Sequence, residues 1–218
     1  NAAITACQAG GRWQLALVVL GLMPEISVVP DIISYNAAMS TCEMGGRWQV
    51  ALIILEAMYK LSILPSVISF SVAISACEKS SQWQLAIGLL TSMPQLRITP
   101  DVISCSSAIS ACEKGGKWQM ALVLLASMPK VHLTPDVVSC SATISACENG
   151  GQWQLAIRLL HSMLELLIMP DMMCCNAALS ACEKGGQWQT TLNLLQCSMP
   201  KLRIIPNTIS YNAAMSAL

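Results

Sequence analysis

The sequence predicts an all-α fold: an α-solenoid of tandem helix-turn-helix repeats wound into a right-handed superhelix. Three observations carry that expectation. A Trp-Gln pair recurs every 35 residues, at Trp13, Trp48, Trp83, Trp118, Trp153 and Trp188. Cys7, Cys42, Cys77, Cys112, Cys147 and Cys182 keep the same period, as do Pro30, Pro65, Pro100, Pro135 and Pro170; only the last proline slips, to Pro206. Between these markers the apolar residues fall at helical spacing. A fixed period of this length marks an array of stacked supersecondary units with no single central core.

The stretch 102–136 shows each element of the unit. Cys105, Ala108, Ile109 and Cys112 share one face of a first helix running from Val102 to Lys114. Gly115 and Gly116 then supply a C-cap and turn. A second helix from about Lys117 to Met128 carries Trp118, Ala121, Leu122, Leu125 and Met128 on one stripe. Pro129 ends it, and a short loop leads to Thr134-Pro135-Asp136. Neither helix can cover its apolar face alone, so stacking on neighbours supplies the cover. The expected repeats are 1–31 (partial), 32–66, 67–101, 102–136, 137–171, 172–207 and 208–218 (partial), giving seven first helices and six second helices. The longer repeat, 172–207, holds one extra residue between Leu195 and Met199. Ala37, Ala38, Ala73, Ala108, Ala142, Ala177 and Ala178 let first helices approach closely. The tryptophans are expected as wedges between the two helices of their own repeat. Opening at Asn1 and closing at Leu218 in mid-repeat, the chain reads as a fragment of a longer protein.

Composition narrows the function classes. The chain is 54% hydrophobic and 11% charged with zero net charge, so no overall basic field draws in nucleic acid. Its longest apolar runs, such as 15–23, fall well short of the roughly 20 residues of a bilayer span, and no membrane partner is expected. No targeting segment is visible in the sequence. The repeated cysteines sit a helix diameter apart (about 10 Å), too far for a disulfide, and lack zinc-site spacing, so buried free thiols and no metal or cofactor are expected. The glycine pairs lack a preceding strand and a following Lys-Ser/Thr, and read as turns. His132 and His161 are the only histidines and fall outside the repeat pattern, so neither catalysis nor a small-molecule substrate is expected.

The segment S-x-N/S-A-A-I-S-A-C-E-K-G-G-x-W-Q-x-A-L-x-L-L-x-x-M-P, closing on P-D, resembles the pentatricopeptide repeat, and the resemblance covers essentially the whole chain. It implies sequence-specific binding of single-stranded RNA, one base per repeat, in organellar RNA processing, stability, editing or translation. Other RNA-processing proteins are possible partners, and the implied location is a chloroplast or mitochondrion. Base-reading residues are implied at the fifth position of each repeat, Asn1, Asn36, Ser71, Ser106, Ser141, Asn176 and Asn212. The last positions share that role: Asp31, Ser66, Asp101, Asp136, Asp171 and Asn207. The second positions, implied to wedge between bases, are Ile33, Ile68, Ile103, Val138, Met173 and Ile209. Lys79, Lys114 and Lys184 are the sparse candidates for phosphate contact. Family-style pairing then reads U-C-G-G-G-Y from the first repeat to the sixth. The zinc-deaminase signature found in some relatives is absent from the cysteine pattern.

Two other readings stay open on sequence alone. The short polar residues at these positions also suit plain helix N-caps. The neutral charge suits a protein-interaction scaffold that holds a peptide in a superhelical groove, or a duplicated array with little binding of its own.

Overall fold

The computed structural model describes residues 2–217. It packs as two compact halves, Asn1–Ala111 and Cys112–Leu218. Among the described residues there is no strand. The first helices are α1 (Ala2–Ala9), α3 (Ile32–Met44), α5 (Val67–Lys79), α7 (Val102–Lys114), α9 (Val137–Asn149), α11 (Met172–Lys184) and α14 (Thr208–Ser216). The second helices are α2 (Trp13–Leu22), α4 (Trp48–Lys60), α6 (Trp83–Gln95), α8 (Trp118–Ser127), α10 (Trp153–Glu165) and α12 (Trp188–Asn193), the last continued into α13 (Met199–Lys201). In the N-terminal half, α1, α3 and α5 pack on one another in sequence, and α2 and α4 each lie against the first helix on either side. In the C-terminal half, α9, α11 and α14 do the same, flanked by α8 and α10.

Local chemistry sets each boundary. Asp31 caps α3: the Ser34 N–H donates to Asp31 Oδ1 at 2.8 Å, and the Asp31 N–H donates back to Ser34 Oγ at 3.2 Å. Such reciprocal caps, each worth about 1 kcal/mol, recur at Ser66, Asp136 and Asn207. The first helices end in a tight turn whose second residue is left-handed, Gly46 at φ 63°, which glycine adopts without penalty. In the repeat without a glycine pair, Ser81 takes that place at φ 56°. The turn closes on the cysteine ladder, with the Arg47 N–H donating to the Cys42 carbonyl at 2.8 Å. The second helices end on a left-handed non-glycine residue in every repeat: Ser27, Ser62, Arg97, His132, Leu167 and Arg203. The methionine at the equivalent position of each repeat closes that cap through its carbonyl, as when the Ile168 N–H donates to Met163 at 2.8 Å. Proline does not terminate these helices as expected. Pro24 and Pro129 open a final 3-10 turn, and Pro94 stands inside α6 one residue from its end.

The core is assembled from equivalent positions. In the C-terminal half Ile144, Cys147, Ala156, Leu160, Met163, Leu179, Cys182 and Met199 pack as one buried cluster. Each fully buried Ile, Leu or Met stabilises by about 1.5–3 kcal/mol. The tryptophans differ from the expectation that each wedges its own helix pair. Trp13 lies against the turn of the next repeat, with its Cδ1 3.1 Å from where a Cβ on Gly45 would stand and the Arg47 guanidinium 5.5 Å from its ring centroid. Trp118 and Trp153 sit closer still, over Gly150 and Gly185. Gly45, Gly150 and Gly185 are therefore landing sites for the indole of the preceding repeat. The extra residue of the sixth repeat is absorbed by a π-helical turn at Leu194–Ser198, so Met199 is buried like Met163 and Asn207 still caps α14.

Candidate nucleic-acid interface

The N-terminal turns of the first helices carry the residues of interest. The second position of each is a large apolar side chain that faces out: Ile33, Ile68 and Ile103 in the N-terminal half, and Val138, Met173 and Ile209 in the other, each 59–68% exposed. Core packing does not explain a row of exposed apolar groups at one helical register, because the core is built from other faces of these helices.

The last-position residues are N-caps, as the simpler sequence reading has it, and the fifth-position residues are not. Ser71 Oγ donates to Asp101 Oδ1 at 3.3 Å and to the Val67 carbonyl at 2.9 Å. Asn176 Nδ2 approaches Asn207 Oδ1 at 3.4 Å. Two of the pairs expected from sequence thus meet directly. Asn36 reaches Ser66 through a third residue: Ser69 Oγ donates to Asn36 Oδ1 at 2.7 Å and lies 3.4 Å from Ser66 Oγ. Ser141 bonds the thiol of Cys174, while Asp171 caps α11 by accepting the Cys174 N–H at 2.9 Å. Ser106 is buried in the N-terminal half and Asp136 caps α9 in the C-terminal half. Asn212 is exposed on α14, and Asn1 lies outside the described residues.

The lysines stand at the far ends of the same helices. From Ile68 to Lys79 is about 16 Å along α5 at 1.5 Å per residue. Lys79 Nζ pairs with Glu43 of the preceding repeat at 2.9 Å, and Lys184 Nζ with Glu148 at 2.9 Å. These half-exposed pairs are worth at most about 1 kcal/mol, so a phosphate can compete for the cation. Lys114 is likewise engaged. Burial pushes the thiols of Cys77, Cys112, Cys147 and Cys182 up to about 11, which keeps them protonated and unreactive at neutral pH. All eleven cysteines are free, ten of them buried, with Cys197 exposed on the π turn. No metal-binding cluster occurs among the described residues. His132 and His161 are exposed.

Sequence reasoning missed the third-position serines, Ser34, Ser69, Ser104, Ser139 and Ser210. Their 35-residue recurrence was visible, but their two hydrogen-bonding directions were not.

Fold and repeat chemistry together define a tandem helical-repeat protein whose first helices open on polar N-caps and exposed apolar residues. Pentatricopeptide repeat domain sequences match residues 1–47, 88–151 and 158–218, and a single such repeat matches 138–166. The chain belongs to the pentatricopeptide repeat family. No curated protein matches it. Among solved structures it is similar to the pentatricopeptide repeat protein PPR10 from maize, with a TM-score of 0.73 at 22% identity, over 99% of this chain and 31% of that one. PPR10 bound to an 18-nt psaJ RNA element gives a TM-score of 0.71 at 20% identity, over 98% and 30%. The repeat domain of Arabidopsis thaliana protein-only RNase P 1, in complex with tRNA, gives 0.70 at 14% identity, over 82% and 94%. The chain thus spans about a third of the length of PPR10.

Proposed function

We propose that this array binds single-stranded RNA, one base per repeat, and serves RNA processing, stability, editing or translation in a chloroplast or mitochondrion. The observation that carries the reading is the exposed apolar second position in each repeat from 32 onward, placed beside a short polar fifth position and an N-cap. An apolar side chain at that site can slide between successive bases, and the neighbouring polar pair can then address one base edge. An Asp carboxylate offers about four acceptor sites, of which capping uses only part. It suits U and G, whose Watson–Crick edges present an N–H. Similarity to two structures described as RNA complexes supports the same reading. Family-style pairing reads U at Asn1/Asp31, C at Asn36/Ser66, G at Ser71/Asp101, Ser106/Asp136 and Ser141/Asp171, and a pyrimidine at Asn176/Asn207.

With only Lys79, Lys114 and Lys184 for phosphates, the salt dependence is shallow, a log–log slope of about −2 for three contacts at 0.7 each. The test is a fluorescence-anisotropy titration of labelled UCGGGY RNA, its scramble and the matching DNA at two salt concentrations. Preference for the first, weakened in Asp136→Ala, supports modular reading. Equal binding to all three, or none at low salt, refutes it and favours a peptide-binding scaffold.

A further inference from the structure

Where the fifth residue of the preceding repeat lies among the described residues, the third-position serine takes one of two orientations, according to what that residue is. Where the fifth residue of the preceding repeat is Ser71, the hydroxyl of Ser104 turns inward and donates to the carbonyl of its own cap residue, Asp101, at 2.9 Å. Where that fifth residue is asparagine, the hydroxyl turns across the repeat boundary. Ser69 Oγ donates to Asn36 Oδ1 at 2.7 Å, and Ser210 Oγ donates to Asn176 Oδ1 at 2.7 Å. Each serine oxygen meanwhile accepts the N–H of its own cap residue, Ser66 at 3.1 Å and Asn207 at 3.2 Å. A separation of 2.7 Å is an O–H···O length, shorter than the usual N–H···O, and the cap N–H already occupies one side of the serine oxygen. The asparagine carbonyl therefore faces the serine, and its amide nitrogen faces away. At Asn176 that nitrogen points to the last-position residue of its own repeat, Asn207.

We infer that the third-position serines Ser69 and Ser210 are positioning residues that fix the amide orientation of Asn36 and Asn176, so that each presents its N–H2 to a bound base. This rests on the RNA-binding reading above. A fixed donor can address the O2 carbonyl that C and U share and that A and G lack at the equivalent place, which fits the pyrimidines assigned to these two repeats. A freely flipping amide presents donor and acceptor alike and discriminates poorly. The serine thus makes a binary choice at its neighbour, and the repeat that reads the base is not the one that supplies the lock. Cys174, which stands in the third position after Ser141, places a weak thiol donor there instead.

The test has two arms. In the free protein, 15N relaxation of the Asn36 side-chain amide reads the lock directly. The expected order parameter is near the rigid-backbone value of about 0.85, falling below about 0.6 in Ser69→Ala and restored in Ser69→Thr. In the second arm, RNAs varied only at the base assigned to repeat 32–66 are titrated. Ser69→Ala is expected to lower discrimination at that base by about tenfold while leaving the other positions unchanged. Ser104→Ala removes the same cap contact without any asparagine to orient, and is expected to leave discrimination at the Ser71 repeat unchanged, so a general loss of stability cannot mimic the effect. An Asn36 amide that is equally ordered in Ser69→Ala, or an equal loss of discrimination in both variants, overturns the inference. Failure of the unsubstituted protein to bind any RNA overturns the proposed function, while the relaxation arm still decides the lock itself.

Discussion

The packing of each tryptophan onto the next repeat's glycine makes a graded prediction. A Cβ built on Gly150 stands 2.3 Å from Trp118 Cδ1, 2.8 Å from Cγ and 2.9 Å from Nε1, whereas one on Gly45 stands 3.1 Å from Trp13 Cδ1. Ordinary carbon contacts are about 3.5–4.0 Å. Gly150→Ala therefore requires the indole or the turn to move by more than 1 Å, roughly, while Gly45→Ala needs only a few tenths. Overpacking of the first kind costs about 1–3 kcal/mol. Gly150 has φ −86° and ψ 1°, which alanine adopts freely, so reduced freedom of the unfolded chain returns about 0.4–1 kcal/mol. The net expectation is a loss of about 1–2 kcal/mol for Gly150→Ala and near neutrality for Gly45→Ala. For a chain of this size a loss of 1 kcal/mol lowers Tm by about 2–4 °C. Urea unfolding followed by circular dichroism measures both, and a double-mutant cycle with Trp118→Leu isolates the contact. The reasoning is refuted if the two alanine variants are equally stable, or if Trp118→Leu does not relieve the Gly150→Ala penalty. Ser80 already places a Cβ at the equivalent turn, held by its hydroxyl to the Gly46 carbonyl at 3.2 Å, so the variants should fold.

Further outcomes follow from local geometry. Leu167 is left-handed at φ 59° and 89% exposed, so Leu167→Gly should stabilise by about 1 kcal/mol, measured by denaturant midpoint. A maleimide probe should label one thiol per native chain, and none in Cys197→Ser, because the other ten cysteines are buried. The ladder thiols are raised to about 11 in the folded chain from an ordinary value of 9. Below pH 9 both folded and unfolded chains keep them protonated; above it the unfolded chain ionises first, so the urea midpoint should hold up to pH 9 and fall between pH 9 and 11. Deleting Gln196 should convert the π turn to regular α-helix with no loss of Tm, since Met199 is already seated in the core register.

Much of the fold was legible because the period identifies equivalent residues. The first helix expected at 102–114 is Val102–Lys114, and the second expected from about 117 to 128 is Trp118–Ser127 with a 3-10 turn beyond it. Periodicity does not say which neighbour a side chain faces. The tryptophan's partner is a glycine, which leaves no apolar signature to pair with, so its contact across repeats was hidden. The extra residue near Cys197 was seen in the sequence, but its absorption in a π turn depends on backbone hydrogen bonding that spacing cannot express. At the candidate site the polar and apolar positions were readable as a pattern. The orientation of Ser69 toward Asn36, and of Ser104 toward Asp101, was not, because both are serines in the same register.

Changing one repeat's base preference by one side chain tests modular reading most directly. Ser66→Asp keeps a good N-cap on α5, so the fold is preserved, and it converts the Asn36/Ser66 pair into the Asn/Asp pairing assigned to U. Titrated against RNAs carrying C or U at the base assigned to repeat 32–66, the variant should prefer U where the unsubstituted protein prefers C, with every other position unchanged. An unchanged preference, or a uniform change in affinity for both RNAs, contradicts base reading by these pairs.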